Sequence, residues 1–295
     1  MGIKLQWDSQ ADQNLDGIEI YRSASPISTT APGTPLITLA GTATAYEDNT
    51  VVNKSIYYYR IAGKKGTERA WGENISSGYF SETGPGRTYP IRGDWNGGMF
   101  DYLDIADFIT PADLLAKVPA LGNYGTRGSF TTWYKMAYKG KVLFIPNTYV
   151  VTATQAELYK MGVLFGTDDF GTIPTGTPSP GVNQRTKVNI NGLDYILRCP
   201  RLSNVPLTQY LTAQDDTIAS EWRSTGSRLS RATLESDNGM LPRLWDNTNS
   251  MAVIGPHLNT TSLVGAHAAG APGTLVGLNT GTRYAALLLL ELVMP

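Results

Sequence analysis

The clearest alternation of apolar and polar positions lies in two stretches. Lys187-Val188-Asn189-Ile190-Asn191-Gly192-Leu193-Asp194-Tyr195-Ile196-Leu197-Arg198 reads as two short strands around an Asn-Gly pair. A two-residue type I′ turn needs positive φ at both central positions, and Asn-Gly tolerates this best. The branched and aromatic residues on either side suit a pleated, half-buried surface. Upstream, Trp133 to Pro146 predicts a second hairpin that turns near Lys139-Gly140. The apolar segment Tyr284 to Val293 predicts a single central strand, covered on both faces.

The N-terminal third carries short strands at close spacing. Leu5-Gln6-Trp7 starts the first, and Asp8 to Asp16 is polar and turn-rich. Gly17 to Ser23 alternates, with Ile18, Ile20 and Arg22 on one face and Glu19 and Tyr21 on the other. Leu36 to Ala40, Thr44 to Asp48, Ser55 to Ala62 and Ala70 to Ser77 predict four more strands, with a turn at Lys64-Lys65-Gly66. This pattern points to a β-sandwich over residues 1–82. Residues 83–98, rich in Gly and Pro, predict a linker.

Helical signals are few. Thr110 as N-cap with Pro111 at the first helical position predicts a short helix running to Val118. Thr154 to Met161 predicts a second, with Gly162 past its end, and Asp216 to Leu229 a third. Asp101 to Asp107 reads as an acidic, solvated loop leading into the first helix. Phe165–Arg185 and Ser262–Gly281 read as exposed loops, and Leu234 to Trp245 as irregular. The fold class predicted is mainly β with short helices: a sandwich, then a larger α+β domain over residues 99–295.

Composition agrees with that reading and narrows the partners. The chain has 295 residues, of which 17% are charged, with a formal net charge of −1. No overall field would gather nucleic acid or an anionic membrane. Leu287 to Val293 is too short to cross a bilayer, and the first residues lack the apolar core of a signal peptide, so neither membrane insertion nor Sec export is expected. The lone cysteine, Cys199, rules out an intrachain disulfide and favours folding in a cytosol.

Two resemblances follow from the residues. Trp7, the strand Gly17 to Arg22, and Tyr46-Glu47-Asp48 followed by Ser55 to Ala62 resemble a fibronectin type III domain, in which Tyr57 takes the tyrosine-corner place. The second unit resembles a domain of tailed-bacteriophage virion structural proteins. An opening "G-D-x-x-x-G-[YF]-F" is met by Gly93 to Phe100, with Met99 departing from the usual aromatic. "W-x-K … G-K-x-L-[YF]-[IV]-P" is met by Trp133 to Lys135 and Gly140 to Pro146, and "G-x-x-[YF]-G" by Gly162 to Gly166. "I-x-G-x-x-Y-x-[VIL]-R" is met by Ile190 to Arg198, and "S-E-W-x-R" by Ser220 to Ser224 with its arginine shifted by one place. A closing "x-P-x-L-x-L" strand is met by Leu288 to Leu292 without the proline. The order of elements is also similar to C-type-lectin-like folds. The resemblance implies a virion component made in the host cytoplasm, whose partners are other virion proteins and copies of itself. A host surface glycan is the alternative partner, bound through the Phe165–Arg185 or Ser262–Gly281 loops.

Catalytic and metal-binding patterns are weak. Cys199 with His257 and His267 lacks any local nucleophile signature, and a buried, inert thiol is the favoured reading. Two histidines and one cysteine, without motif spacing, do not make a zinc site. Asp101, Asp104 and Asp107 could hold a hard cation, but no glycine-punctuated calcium loop follows. A glycosidase needs two facing carboxylates, and Asp168, Asp169, Asp215, Asp216 and Glu221 are the candidates. Arg92-Gly93-Asp94 matches an adhesion tripeptide, and chance in a Gly-rich loop is favoured. Trp95, Trp133 and Trp222 are assigned to the core, and Trp245 is the best exposed aromatic. The expectation is therefore no enzyme, no cofactor and no metal. Trp245, Asp168, Asp169, His257 and His267 are the candidate contacts to a ligand or partner.

Overall fold

The computed structural model describes residues 2–125, 127–174, 177, 180–207, 211, 220–226, 251–260, 263–268 and 271–294. For 251–252, 258–260, 263–268 and 271–278 it describes the backbone alone. The protein is mainly β and divides into two compact units, Met1–Glu82 and Thr83–Pro295.

In the first unit, β1 (Ile3–Gln6) pairs with β4 (Ala45–Asp48) in a two-stranded sheet. A larger sheet runs β3 (Ile37–Leu39), β2 (Gly17–Ser23), β5 (Ser55–Lys65) and β6 (Glu68–Trp71), and β7 (Ile75–Tyr79) also pairs with β5. The single last strand predicted over Ala70 to Ser77 is thus two strands. Gly72 to Asn74 interrupt it, and the long β5 carries β6 on Ala62–Lys65 and β7 on Ser55–Tyr59. Ile3, Leu5, Ile20 and Tyr59 form the core that joins the two sheets, with Trp7, Leu39 and Tyr46 packed around them. The opposite face is covered as well: Tyr21, Ile27, Ala62 and Trp71 make a second small core. Glu19 lies buried on that face, accepting from the Tyr21 hydroxyl at 2.6 Å and from Arg69 at 2.6 Å.

Asp48 fixes the first core electrostatically. Its fully buried carboxylate accepts from Arg22 at 2.7 Å, the Tyr59 hydroxyl at 2.8 Å, and the Thr50 backbone and hydroxyl at 2.9 and 2.7 Å. Burial alone would raise its pKa, but the bonds from Thr50, Tyr59 and Arg22 outweigh burial and hold it below the ordinary 3.8. A carboxylate with a depressed folded pKa stabilises in full above its unfolded pKa, and loses that contribution as pH falls through the folded value. Asp48→Ala is expected to cost about 2–3 kcal/mol, since it strands the buried Tyr59 hydroxyl. Thermal unfolding should show that difference at pH 7 and a smaller one below pH 3.8.

Among the described residues the second unit holds two sheets. The larger is antiparallel and seven-stranded. Its members are β8 (Arg92–Asp94), β9 (Gly97–Asp104), β10 (Thr132–Tyr138), β11 (Lys141–Pro146), β13 (Lys187–Ile190), β14 (Leu193–Arg198) and β19 (Leu289–Leu292). Their order is β13-β14-β19-β11-β10-β9-β8. Both predicted hairpins form: Asn191 and Gly192 take φ of 51° and 87°, and Lys139 and Gly140 take 46° and 79°. The smaller sheet runs β12 (Val151–Ala153), β18 (Tyr284–Ala286), β15 (Met251–Thr260), β16 (Leu263–Ala268) and β17 (Ala271–Asn279), with β15 and β18 parallel.

Several expectations change here. Ser262–Gly281 is not a surface loop: β16 and β17 fill most of it, β16 paired with β15 and β17 with β16. The single strand expected over Tyr284 to Val293 is two, β18 and β19, which belong to different sheets. Asp101 to Asp104 ends strand β9, and a 3-10 turn over Ile105–Asp107 follows it. Residues 83–98, read as a linker from composition, lie within the second unit, where 92–94 pair as β8 with β9.

Helices α1 (Pro111–Lys117) and α2 (Gln155–Lys160) start where their caps predict. Thr110 accepts from the Asp113 amide, and Thr154 and Glu157 form a reciprocal capping box. Of the third predicted helix, the described part is α3 (Glu221–Ser224), capped by Ser220. The core between the sheets contains Tyr134, Met136, Leu143, Ile145, Trp222, Val253 and Leu289. On the other face of the larger sheet, Phe108 packs on Trp133, Phe144 and Tyr195 with ring centroids 4.5 to 5.5 Å apart. Strand β10 is therefore buried on both sides, which is why its side chains are apolar or aromatic at nearly every position.

Candidate functional site

The polar side chains that stand out in the sequence motifs converge inside the second unit. Arg198, at the end of β14, is 2% exposed. Its guanidinium grips Glu221 of α3 with two bonds of 2.8 and 2.6 Å, reaches Glu291 of β19 at 2.7 Å, and donates to the Cys199 carbonyl at 3.0 Å. Lys141 of β11 completes Glu291 at 2.9 Å, and the Arg201 amide donates to Glu221 at 2.9 Å. One cluster thus ties β11, β14, β19 and α3. Burial works against the charge of Arg198, but Glu221 and Glu291 outweigh it and push its pKa further up. Burial would raise the Glu291 carboxyl, but Arg198 and Lys141 hold it below the ordinary 4.5. Gly166, at φ 73°, makes room: a Cβ there would stand 2.3 Å from Arg198 Cδ.

Lys135 is the second buried cation, fully enclosed on β10. It donates to the Thr83 hydroxyl at 3.0 Å and to the carbonyls of Gly84 and Arg87 at 3.3 and 2.7 Å. Its ammonium lies 5.5 Å from the Phe100 ring centre and 5.9 Å from that of Phe144. The segment 83–87 is thereby pinned across the aromatic face. Trp133 is equally structural, its indole N–H donating to the Ile109 carbonyl at 2.9 Å.

The candidate contact residues are scattered rather than gathered. Asp168, 67% exposed, accepts from Asn183 at 3.0 Å and Arg185 at 3.2 Å, and these two hold its pKa below the carboxylate range. Asp169 accepts from the Thr167 hydroxyl at 2.6 Å and the Gly171 amide at 3.0 Å, folding the loop onto itself. His257 is buried, with Nε2 3.0 Å from the Val205 carbonyl. The backbone of His267 lies in β16, opposite Val253 and Leu275. Trp245, Asp215 and Asp216 lie outside the described residues. Glu221, a glycosidase candidate by sequence, is clamped by Arg198 and is 2% exposed. Among the described residues no group of three His, Cys, Asp or Glu side chains could hold a metal ion. Asp101 and Asp104 instead accept from backbone amides of Arg87, Tyr102 and Ala106. Arg92-Gly93-Asp94 is not a loop but the edge strand β8, and Asp94 caps its own turn through Asn96 and Gly97.

Cys199 is buried, and burial, partly opposed by Arg198, pushes its thiol up to about 12. The thiolate is the reactive form, so the folded protein should resist iodoacetamide at pH 8 and react fully once unfolded. Rapid labelling of the native chain, read by mass spectrometry, would contradict that expectation.

The sequence motifs contained Arg198, Glu221 and Lys135 without revealing that they are buried. The missed signal was Glu291, a lone carboxylate in an apolar run, which needs a buried cation beside it. Searched against family models, curated proteins and solved structures, the chain matches none.

Proposed function

We propose that this chain is a non-enzymatic structural component of a tailed-phage virion. Its first unit is a fibronectin type III-like module, and its second, α+β unit joins copies of itself and neighbouring virion proteins. The observation that carries this reading is the placement of the motif residues: Trp133, Lys135, Arg198, Glu221, Trp222 and Glu291 are spent on holding strands and sheets together. The resemblance is thus one of scaffold, and the surfaces left for work are those turned outward. Tyr89 and Ile91 beside β8, and Tyr102 on β9, are 59%, 43% and 53% exposed, along one edge of the larger sheet. Aromatic and aliphatic side chains held in water are the usual material of protein contacts. The fibronectin-like reading is supported by Tyr57, whose hydroxyl accepts from the Val52 amide at 2.9 Å, five residues upstream. The long excursion between β14 and the central strand β19 supports the C-type-lectin-like reading of the second unit. Weak contacts repeated by symmetry would supply the avidity.

Quantitative mass spectrometry of purified particles of the encoding phage tests the assignment. A copy number set by particle symmetry is expected, together with self-association in light scattering. Absence from particles and a strictly monomeric chain would overturn it.

A second reading, a receptor-binding tip, rests on the Phe165–Arg185 loop. Phe170 and Ile173 there are 54% and 41% exposed. The Tyr159 hydroxyl fixes the Phe170 carbonyl at 2.8 Å, and the Gln184 amide fixes that of Asp169 at 2.9 Å. Binding of the purified chain to host cells, abolished by Phe170→Ser, is the result this reading requires.

A further inference from the structure

The first unit contains a cleft of about 520 Å³ that the assembly role leaves unused. The half-buried Trp7 indole lines it, over aliphatic side chains that include Ile18 and Ile61, while the Trp71 ring lies on the opposite face of the sheet against Tyr21 and Ala62. Around it stand the exposed side chains of Gln6, Gln10, Gln13 and Glu73. No lysine or arginine lines it.

We propose that this cleft binds a neutral saccharide. Its volume falls in the range of small-ligand sites, roughly 300–1,000 Å³. The Trp7 indole suits the apolar C–H face of a sugar ring. Each glutamine amide offers a donor and an acceptor together, the same combination that a sugar hydroxyl offers in return. Glu73 is the one charge in the lining, so an anionic sugar is disfavoured. An apolar peptide side chain would satisfy the indole and leave the amides unused.

The walls are set before any ligand arrives. The Trp7 indole N–H donates to the Ala43 carbonyl at 2.7 Å. The turn that carries Gln10 and Gln13 is tied to the β5–β6 hairpin: Lys65 donates to the Gln13 carbonyl at 3.1 Å, and the Asp16 amide to the Lys64 carbonyl at 2.8 Å. The side chains of Gln6 and Glu73 make no hydrogen bond or ion pair among the described residues, and so stay available. Such preorganisation lowers the ordering cost of binding.

The test is calorimetric titration of the full chain with maltohexaose, cellohexaose, chitohexaose and mannohexaose, with sialyllactose and an Ala-Phe-Ala peptide as rivals. At least one neutral sugar should bind with a Kd of about 1 mM or tighter. Gln6→Ala and Glu73→Ala, both exposed changes, should each weaken it by roughly threefold to tenfold. Trp7→Ala should abolish it, while Val52→Ser, outside the cleft, should leave it intact. The proposal fails if no neutral sugar binds, if Gln6→Ala and Glu73→Ala bind as the parent does, or if the peptide or sialyllactose binds more tightly.

Discussion

Replacing Glu221 by alanine is expected to cost the second unit about 3–5 kcal/mol, the usual price of leaving one member of a buried ion pair without its partner. The Arg198 guanidinium would keep Glu291 and lose both bonds to α3. The Arg201 amide would lose its acceptor as well. Urea unfolding, followed by tryptophan fluorescence, reads the loss. The double replacement Arg198→Leu with Glu221→Leu should be milder than Glu221→Ala alone, because no buried charge is then stranded, and Glu291 retains Lys141. A double variant as unstable as the sum of its singles would mean that the pair does not act as a unit. Acid should also weaken this unit. Glu291 has a lowered folded pKa, so its contribution is complete above the ordinary 4.5 and fades as pH falls through the folded value.

Lys135→Ala is the second large effect, expected at about 3 kcal/mol. Three acceptors on Thr83, Gly84 and Arg87 would lose their donor at once. The local signature matters more than the size. Amide exchange over residues 83–87 should quicken and trypsin should cut after Arg87, while exchange in β10 and β11 changes far less. Lys135→Met keeps the stem between Phe100 and Phe144, so it should regain part of the stability without restoring protection of 83–87. Unchanged exchange there in both variants would show that the ammonium does not hold this segment.

The elements that could be read in the sequence are those whose signals are local. Asn191-Gly192 and Lys139-Gly140 dictate positive φ, and Thr110 and Thr154 dictate helix starts, whatever lies around them. The parts that could not be read depend on distant partners. Strands β16 and β17 intersperse their leucines and valines with glycine, alanine and proline, which blurs any strand signal, and pairing with neighbours in the sheet makes them strands. Tyr284 to Val293 looks like one strand, because an apolar run does not say that Leu287 carries the chain from one sheet to the next. Residues 83–98 look like a linker, because a glycine-rich composition does not reveal the lysine that binds it. The candidate site was legible only as a set of motif positions. That Arg198, Glu221 and Glu291 meet is a property of topology, since they come from three separate stretches of chain.

Strand β19 sits between β14 and β11, yet it is the last of the seven to leave the ribosome. Until it arrives, the β8–β11 meander and the β13–β14 hairpin are separate half-sheets, each showing an open row of amides and carbonyls to whatever is near. Nascent chains crowded on one messenger are then at risk of joining to each other. Production of this protein should be sensitive to translation speed, temperature and chaperone supply, well beyond what the finished molecule's packing suggests.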